Sequence, residues 1–364
     1  MKPTLSYSEC VDAICATLED GFVPLVIGAP GIGKTAMQKL LAERLNLKPV
    51  SLIAREYEPH EISGVLEVSG GKLNRHVIGQ ARIIATEACV VLFDELTACP
   101  TPVFANMARV LHERVFGDMP VHEKTVFWAA ANPQSQSLDA HDMPLPLINR
   151  LRILHLQPTH SDVQAYFSSI GEEGSTLRAV GLEFSSILDA RPELLELEPQ
   201  AAETLQQNNE NWASPRAWER AVRTLARAAP LPPKLLRASL VGDLGQAAAE
   251  GFLAVREIYK RLPSLDEIVH NPNNARLPAS FLEGVGVLGL LGNIAQRDVC
   301  AAWTYCARVN EKTFDGGRET RAALVNALQR LAPLPAKSDS PFLEDAKKAR
   351  VLMVSKRQAA KGAI

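Results

Sequence analysis

The sequence predicts an α/β domain followed by an all-helical region, and three observations support this. Five short apolar runs of strand length alternate with segments of helical periodicity over roughly the first 158 residues. After Leu156 only helical periodicity remains, and prolines interrupt it repeatedly. The composition, with 46% hydrophobic and 22% charged residues, is ordinary for a globular chain of 364 residues with two or three modest domains.

The five predicted strands are nearly continuous apolar runs, a pattern typical of strands buried on both faces of a parallel sheet. They cover residues 23–27, 50–54, 89–93, 125–131 and 151–156. Helices are predicted at 5–19, 35–45, 78–87 and 102–113. The simplest arrangement is a doubly wound α/β sheet of five parallel strands. A β-hairpin over residues 65–73, turning on Gly70 and Gly71, is predicted between the second and third strands.

Charge and targeting patterns exclude some classes of protein. The formal net charge of −2 gives no bulk electrostatic reason to expect a nucleic-acid or anionic-membrane partner. The N-terminus lacks the order of a signal peptide, and the apolar run 277–295 contains Glu283 and four glycines, which argues against a membrane span. We therefore expect a cytoplasmic protein. The six cysteines form no C-x-x-C pair, so reduced thiols are favoured over disulfides or a zinc site.

A glycine-rich segment between the first strand and its helix carries the clearest chemical signal. Gly28-Ala29-Pro30-Gly31-Ile32-Gly33-Lys34-Thr35 fits the pattern G-x-x-x-x-G-K-T in the strand–loop–helix context that this motif needs. Its backbone N–H groups, with Ala36 at the helix start, would surround the phosphates of ATP. Lys34 would reach the β- and γ-phosphates, and the Thr35 hydroxyl would bind Mg²⁺. The alternative is a chance glycine turn.

Two adjacent carboxylates follow the third predicted strand. Asp94 and Glu95 would emerge at the sheet edge that also carries the glycine loop. Because alternate strand residues face opposite ways, we expect different roles for them. Asp94 would hold Mg²⁺ through its hydration shell, and Glu95 would polarise the attacking water as general base. An exposed acidic turn is the alternative for this pair taken alone.

Asn132 ends the fourth predicted strand in the run Ala129-Ala130-Ala131-Asn132-Pro133. A polar side chain at this strand end would lie beside Glu95 and the γ-phosphate, where it could hold the attacking water. An asparagine before proline in a turn is an equally good interpretation of this residue by itself.

Five segments in this order resemble the AAA+ superfamily, and specifically its MoxR-like branch. They are GAPGIGKT, VVLFDELT, AAANP, LPLINRL and SPRA, spread over roughly residues 20–220. The hairpin at 65–73 resembles the helix-2 insert of that clade. The resemblance implies a P-loop AAA+ core at 1–158, a helical lid at 159–230, a further helical domain at 231–335 and a tail at 336–364.

The resemblance also implies roles for two arginines. Arg150 falls where the family carries an arginine finger, which acts on the nucleotide of a neighbouring subunit, and Arg216 falls at the sensor-2 position of the lid. Arg152 is the alternative finger, since it lies two residues further on and should point to the opposite face. A finger acting in trans requires a ring, and the family usually forms hexamers.

The same resemblance implies a chaperone-like function. Similar MoxR-like proteins use ATP hydrolysis to remodel or mature a protein partner, which is frequently a von Willebrand factor A domain protein. Three other classes stay open at this stage: a ring-forming motor that nucleic acid stimulates, a small-molecule kinase that uses the same phosphate loop, and a regulatory switch that binds ATP and hardly hydrolyses it.

Overall fold

The structure is a computed structural model. It describes residues 2–69, 72–76, 79–136, 141–199, 202–280 and 297–311, together with residues 283, 284, 286, 287, 294, 295, 334 and 339–348. The two glycines predicted to form the hairpin turn, much of the apolar run 277–295 and most of the predicted tail lie outside these residues.

Internal contacts divide the chain into two compact units. The core unit comprises Met1–Val163 and Glu196–Ala217, and the helical unit comprises Gln164–Leu195 and the described residues from Trp218 onward. The chain therefore leaves the core unit, returns to it for a short segment, and leaves it again. That returning segment carries Arg216.

The core unit is built on a six-stranded parallel sheet. Its strands are β1 Thr4–Leu5, β2 Val23–Ile27, β3 Lys48–Ile53, β6 Cys89–Asp94, β9 Val126–Ala131 and β10 Leu151–Leu156, in the spatial order β1-β10-β2-β9-β6-β3. The five predicted strands are confirmed, and the predicted number is corrected to six. Strand β1 escaped prediction because two residues, paired with His155 and Leu156, are too short to show a period.

Two small antiparallel hairpins lie apart from the main sheet. The first pairs β4 Val65–Ser69 with β5 Lys72–His76, in the register Val65 to His76, and so confirms the hairpin predicted here. The second pairs β7 Val115–Phe116 with β8 Met119–Pro120 and was not predicted.

The described residues also contain α-helices. Those up to residue 148 are α1 Tyr7–Glu19, α2 Met37–Leu45, α3 Pro59–Ser63, α4 Gln80–Thr86, α5 Thr101–Glu113 and α6 Leu145–Ile148. The later ones are α7 His160–Ser169, α8 Thr176–Ala190, α9 Ala202–Asn208, α10 Pro215–Leu225, α11 Pro233–Leu244, α12 Gln246–Tyr259, α13 Leu265–His270 and α14 Val299–Glu311. Beyond Leu156 the described residues form no strand, as predicted.

The central strands are buried on both faces, and this positions the site. In β6, Val91 and Phe93 belong to one apolar cluster, whereas Val90 and Leu92 belong to the cluster on the other side of the sheet. Alternate side chains of one strand thus enter two different cores, which explains why the sequence shows a continuous apolar run instead of alternation. A sheet packed on both faces offers only its strand ends to a ligand.

The helical unit has its own aromatic core. Trp218 stacks on Phe184 with ring centroids 4.3 Å apart and meets Phe252 edge-on at 5.1 Å. The Trp218 indole donates to the Leu194 carbonyl at 2.9 Å, which satisfies its buried N–H. Across the described residues of both units, every helix is too short or too polar to cross a bilayer.

Candidate functional site

The glycine-rich loop connects the end of β2 to the start of α2. All eight predicted phosphate-binding residues lie in it or at its junction with the helix: Gly28, Pro30, Gly31, Ile32, Gly33, Lys34, Thr35 and Ala36. Helix α2 begins at Met37, two residues later than predicted, because residues 34–36 form turns. The loop therefore presents a run of backbone N–H groups outside the regular helix.

The loop glycines are needed for its shape. Gly31 and Gly33 have φ angles of +79° and +97°, which residues with a side chain adopt only at a cost. At Gly28, an added Cβ would lie 2.8 Å from Ile32 Cδ1 and 2.9 Å from the Leu156 carbonyl oxygen. The loop is thus packed closely against the end of β10.

Lys34 points into the centre of the loop. Its ammonium group donates to the carbonyls of Gly28 and Ala29, at 2.7 and 2.8 Å, and to Asn132 Oδ1 at 2.8 Å. Burial lowers its pKa to about 8, with the nearby positive charge of Arg216 adding to the effect and the charge of Asp94 opposing it. A positive charge held among acceptors in a nearly buried loop is suited to a phosphate group.

Thr35 and Asp94 join the loop to the end of β6. The Thr35 hydroxyl donates to Asp94 Oδ2 at 2.7 Å, and Asp94 Oδ1 accepts the backbone N–H of Glu95 at 2.9 Å. A hydroxyl and a carboxylate oxygen in contact are the hard ligands that Mg²⁺ prefers. No group of three or more His, Cys, Asp and Glu side chains in the described residues could hold a metal alone. A Mg²⁺ ion here would therefore need water and phosphate oxygens as its other ligands.

Glu95 follows the last residue of β6 and has a left-handed backbone conformation. Strand β6 ends at Asp94, and Glu95 has a φ of +55°. Strand alternation predicted different directions for the two carboxylates. This is corrected here: the left-handed conformation of Glu95 separates them, and a single residue in that conformation is not visible in a sequence pattern.

Arg55 is the site residue that sequence reasoning missed. It lies just after β3, and its Nε is 2.8 Å from Glu95 Oε2. The distance is that of an ion pair, but Oε2 is shielded from solvent and accepts no hydrogen bond from a described residue. The signal that could have identified Arg55 is its position just after a strand. Because Ile53 pairs with Asp94 in the sheet, the residues that follow these two positions lie close together.

Two further predicted residues lie at this edge of the sheet. Asn132 directly follows β9, and its Oδ1 accepts from Lys34 at 2.8 Å. The backbone N–H of Arg216 donates to the Gly31 carbonyl at 3.1 Å, which sets the start of α10 on the loop. The guanidinium group of Arg216 is exposed, and its charge lowers the pKa of Lys34. Five separate segments thus meet here: the glycine-rich loop, the residues after β3, the end of β6, the residue after β9 and the start of α10.

Arg150 lies at the opposite edge of the sheet. It precedes Leu151, which pairs with Val23 at the start of β2, whereas the glycine-rich loop follows Ile27 at the end of β2. The length of β2 separates these two edges, roughly 16 Å at about 3.3 Å per residue. The Arg150 side chain therefore lies too far from Lys34 of its own chain to share a ligand with it.

The two candidate finger arginines differ in their surroundings. Arg152 pairs with Asp20 at 2.9 Å and lies over the Phe22 ring at 4.9 Å. The guanidinium group of Arg150 is exposed and makes no hydrogen bond or ion pair with the described residues. Both line a cleft of about 640 Å³ that also contains Arg114. Arg150 is the one of the two that is available to a partner.

A family model matches the part of the chain that contains most of the candidate site residues. Residues 24–151 match the family described as AAA domain, dynein-related subfamily. The matched segment contains the glycine-rich loop, both carboxylates, Asn132 and Arg150. Over 150 residues the chain is also 27% identical to a Lon protease of Borrelia duttonii; the match covers 38% of this chain and only 18% of that protein.

Solved structures with a similar chain trace include a branch migration motor and an ATPase. The Holliday junction branch migration motor RuvB of Thermotoga maritima is 18% identical, with 74% of this chain and 80% of that chain covered at a TM-score of 0.35. A provisionally assigned ATPase of Cytophaga hutchinsonii is 14% identical, with 68% and 86% covered at a TM-score of 0.36. Both TM-scores are low, and neither likeness bears on the function of this chain.

Proposed function

We propose that the core unit binds ATP with Mg²⁺ and hydrolyses the γ-phosphate bond. The observation that carries this proposal is the contact of Thr35 with Asp94 at 2.7 Å, because it joins the phosphate loop to the carboxylate strand at a magnesium-competent pair of oxygens. The match of residues 24–151 to the AAA domain supports it.

The site residues then have separate tasks. The loop N–H groups and Lys34 bind the β- and γ-phosphates, and Thr35 and Asp94 hold the ion, which neutralises the charge of the transferring phosphoryl group. Glu95 orients and deprotonates the attacking water, and Asn132 positions it. Arg216, at the start of α10, supplies a further positive charge beside Lys34.

Arg150 completes the site of a neighbouring copy. Because it lies at the sheet edge away from its own phosphate loop, its charge can act on phosphoryl transfer only in another subunit. A finger arginine of this kind accelerates hydrolysis by about 10³- to 10⁵-fold, or roughly 4–7 kcal/mol. A repeated head-to-tail contact gives a ring when its rotation closes and an open filament when it does not, and we propose a closed hexamer.

We further propose that the ring remodels or matures a protein partner, such as a von Willebrand factor A domain protein, as MoxR-like proteins do. The first hairpin supports a partner contact, because it exposes the apolar side chains Val65, Leu66 and Val68. In this view residues 159–230 act as the lid, and residues 231–335 take part in partner recognition. Charged substitutions of the exposed Leu66 and Val68 would then keep hydrolysis and lose partner capture.

The first experiment combines assembly with turnover. Wild type and Glu95→Gln are analysed by size exclusion with light scattering, each with and without ATP and Mg²⁺, while phosphate release is followed. We expect a ring that turns over ATP, and a Glu95→Gln ring that retains ATP without hydrolysing it. A monomer with full turnover would overturn the trans role of Arg150 and favour a small-molecule kinase instead.

A further inference from the structure

One buried amide connects the three segments that carry the site. Gln38, on α2, donates through Nε2 to the Val50 carbonyl at 3.1 Å and to the Val90 carbonyl at 2.7 Å. Its Oε1 accepts the Trp128 indole N–H at 2.6 Å. Both N–H donors and the carbonyl oxygen of this side chain are thus in use. Gln38 and Trp128 are 5% and 0% exposed, so water does not compete for these bonds.

The partners of Gln38 stand in a regular relation to the site residues. Gln38, on α2, lies four residues after Lys34. Val90, on β6, lies four residues before Asp94, and Trp128, on β9, lies four residues before Asn132. The amide therefore links the three segments at one level below the sheet edge. The contacts of Lys34 with Asn132 and of Thr35 with Asp94 link the same three segments at the edge itself.

A buried glutamine at this position contributes less to the free energy of folding than an aliphatic side chain would, because its polar amide has to leave water. Its neighbours in the same apolar cluster include Met37, Leu41 and Ala42, and an aliphatic side chain there would bury no polar group. A fully satisfied polar network instead fixes one arrangement of the elements it joins, because any shift leaves a buried donor or acceptor without a partner. Apolar side chains can slide over one another at much lower cost.

We infer that Gln38 is a positioning residue for nucleotide hydrolysis, which sets α2 in register with β6 and β9 and so aligns Lys34 and Thr35 with Asp94 and Asn132. The inference rests on the proposed ATPase function. Gln38 itself lies inside the fold and touches no phosphate group. It acts through the direction of the three segments, and a shift of about 1 Å between reacting groups can lower a rate 10²-fold.

The test compares Gln38→Leu with a control on the same helix. Leu41→Ala removes a fully buried apolar side chain of α2 and leaves the Gln38 network in place. The melting temperature of each variant is measured first. At a temperature below both melting points, we then measure the affinity for ADP, the affinity for ADP with aluminium fluoride and Mg²⁺, and the kcat of phosphate release. We expect Gln38→Leu to lower kcat and the affinity for the fluoride complex about 10- to 100-fold, with little change for ADP alone.

The control separates positioning from stability. Leu41→Ala should lose as much thermal stability as Gln38→Leu does, but it should keep the kcat of the wild type. The double variant Gln38→Leu with Trp128→Phe removes the unpartnered indole N–H, so it should regain melting temperature while its kcat stays low. Equal kcat in Gln38→Leu and Leu41→Ala, or recovery of kcat together with stability in the double variant, would overturn the inference.

Failure of the proposed function gives a different result. If the wild type binds nucleotide but releases no phosphate, the proposed hydrolysis is wrong, and the inference is decided by the gain in ADP affinity on adding Mg²⁺. That gain depends on the alignment of Thr35 with Asp94. We expect Gln38→Leu to lose most of it, and an unchanged gain would overturn the positioning role.

Discussion

Arg55 and Glu95 form an ion pair across the ends of two neighbouring strands, with Nε 2.8 Å from Oε2. Their side chains are 52% and 35% exposed, so the pair is open to solvent on one side. Glu95 is the proposed general base, and its carboxylate is held by Arg55 and not by Lys34 or Asn132. The pair therefore restrains the group that has to approach the attacking water.

We expect Arg55→Ala to raise the unstimulated rate of ATP hydrolysis. Release of Glu95 removes an exposed ion pair worth about 1 kcal/mol or less, which corresponds to an increase of up to about fivefold. Phosphate release under saturating ATP measures the change, and Arg55→Lys, which keeps the charge, serves as the control. A lower rate in Arg55→Ala would show that Arg55 assists the reaction instead of restraining it.

The pKa of Lys34 predicts a proton uptake on nucleotide binding. Burial lowers this pKa to about 8 from its usual value of 10.5, so part of the Lys34 population is neutral above pH 8. Bound phosphate favours the charged form, and binding near pH 8.5 should therefore take up a fraction of a proton, with ATP affinity falling as the pH rises further. Calorimetry in buffers of different ionisation enthalpy measures this uptake.

Lys34→Met is the matched variant for the proton uptake. It removes the titrating group, so uptake in this pH range should vanish together with most of the affinity.

The lowered pKa of Lys34 also makes the free energy of unfolding depend on pH. Between pH 8 and 10.5 the unfolded chain binds more protons at this lysine than the folded chain does, so its contribution to the free energy of unfolding increases as the pH rises through this window.

Thr35→Val should separate nucleotide binding from magnesium use. The substitution keeps the shape and removes the hydroxyl that contacts Asp94. We expect ADP binding without Mg²⁺ to change little, and kcat at a fixed Mg²⁺ concentration to fall by roughly 10²-fold or more, since the ion neutralises the charge that develops on the phosphates. A Mg²⁺ titration of phosphate release measures this effect. Thr35→Ser, which restores the hydroxyl, is the control, and a fall of similar size in Thr35→Ser would contradict the interpretation.

Arg150 and Arg152 should give opposite results. Arg150→Ala is expected to lower kcat by roughly 10³-fold with unchanged nucleotide affinity, because the finger acts only in the transition state. Arg152→Ala breaks the ion pair with Asp20 and should cost about 1 kcal/mol or less of stability, with its kcat retained.

Mixing two inactive variants tests whether Arg150 acts in trans. Glu95→Gln subunits keep the finger and lack the base, whereas Arg150→Ala subunits keep the base and lack the finger. Mixed assemblies should regain part of the activity, because some sites then receive both groups from two chains. Absence of any recovery, in mixtures shown to co-assemble, would argue that each subunit hydrolyses ATP by itself.

Much of the site was predictable because its groups follow strands. Lys34, Thr35, Asp94 and Asn132 each come directly after a buried apolar run or in the loop behind it, and parallel strands bring such positions to one sheet edge. The five strands were predicted from their apolar runs, and the hairpin was predicted from the two glycines at its turn. The short strand β1, the left-handed Glu95 and the late start of α2 depend on single residues, which carry no periodic signal.

Residue order alone was enough to predict the glycine-rich loop, the two carboxylates and the alternation of strands with helices, because these depend on local residue types and on the period of burial. Three relations became visible only in the folded chain: Arg55 pairs with Glu95, Gln38 joins α2 to neighbouring strands, and Arg150 lies away from the glycine-rich loop of its own chain. These relations join residues far apart in the chain. They arise from the order of the strands in the sheet, which residue spacing does not encode.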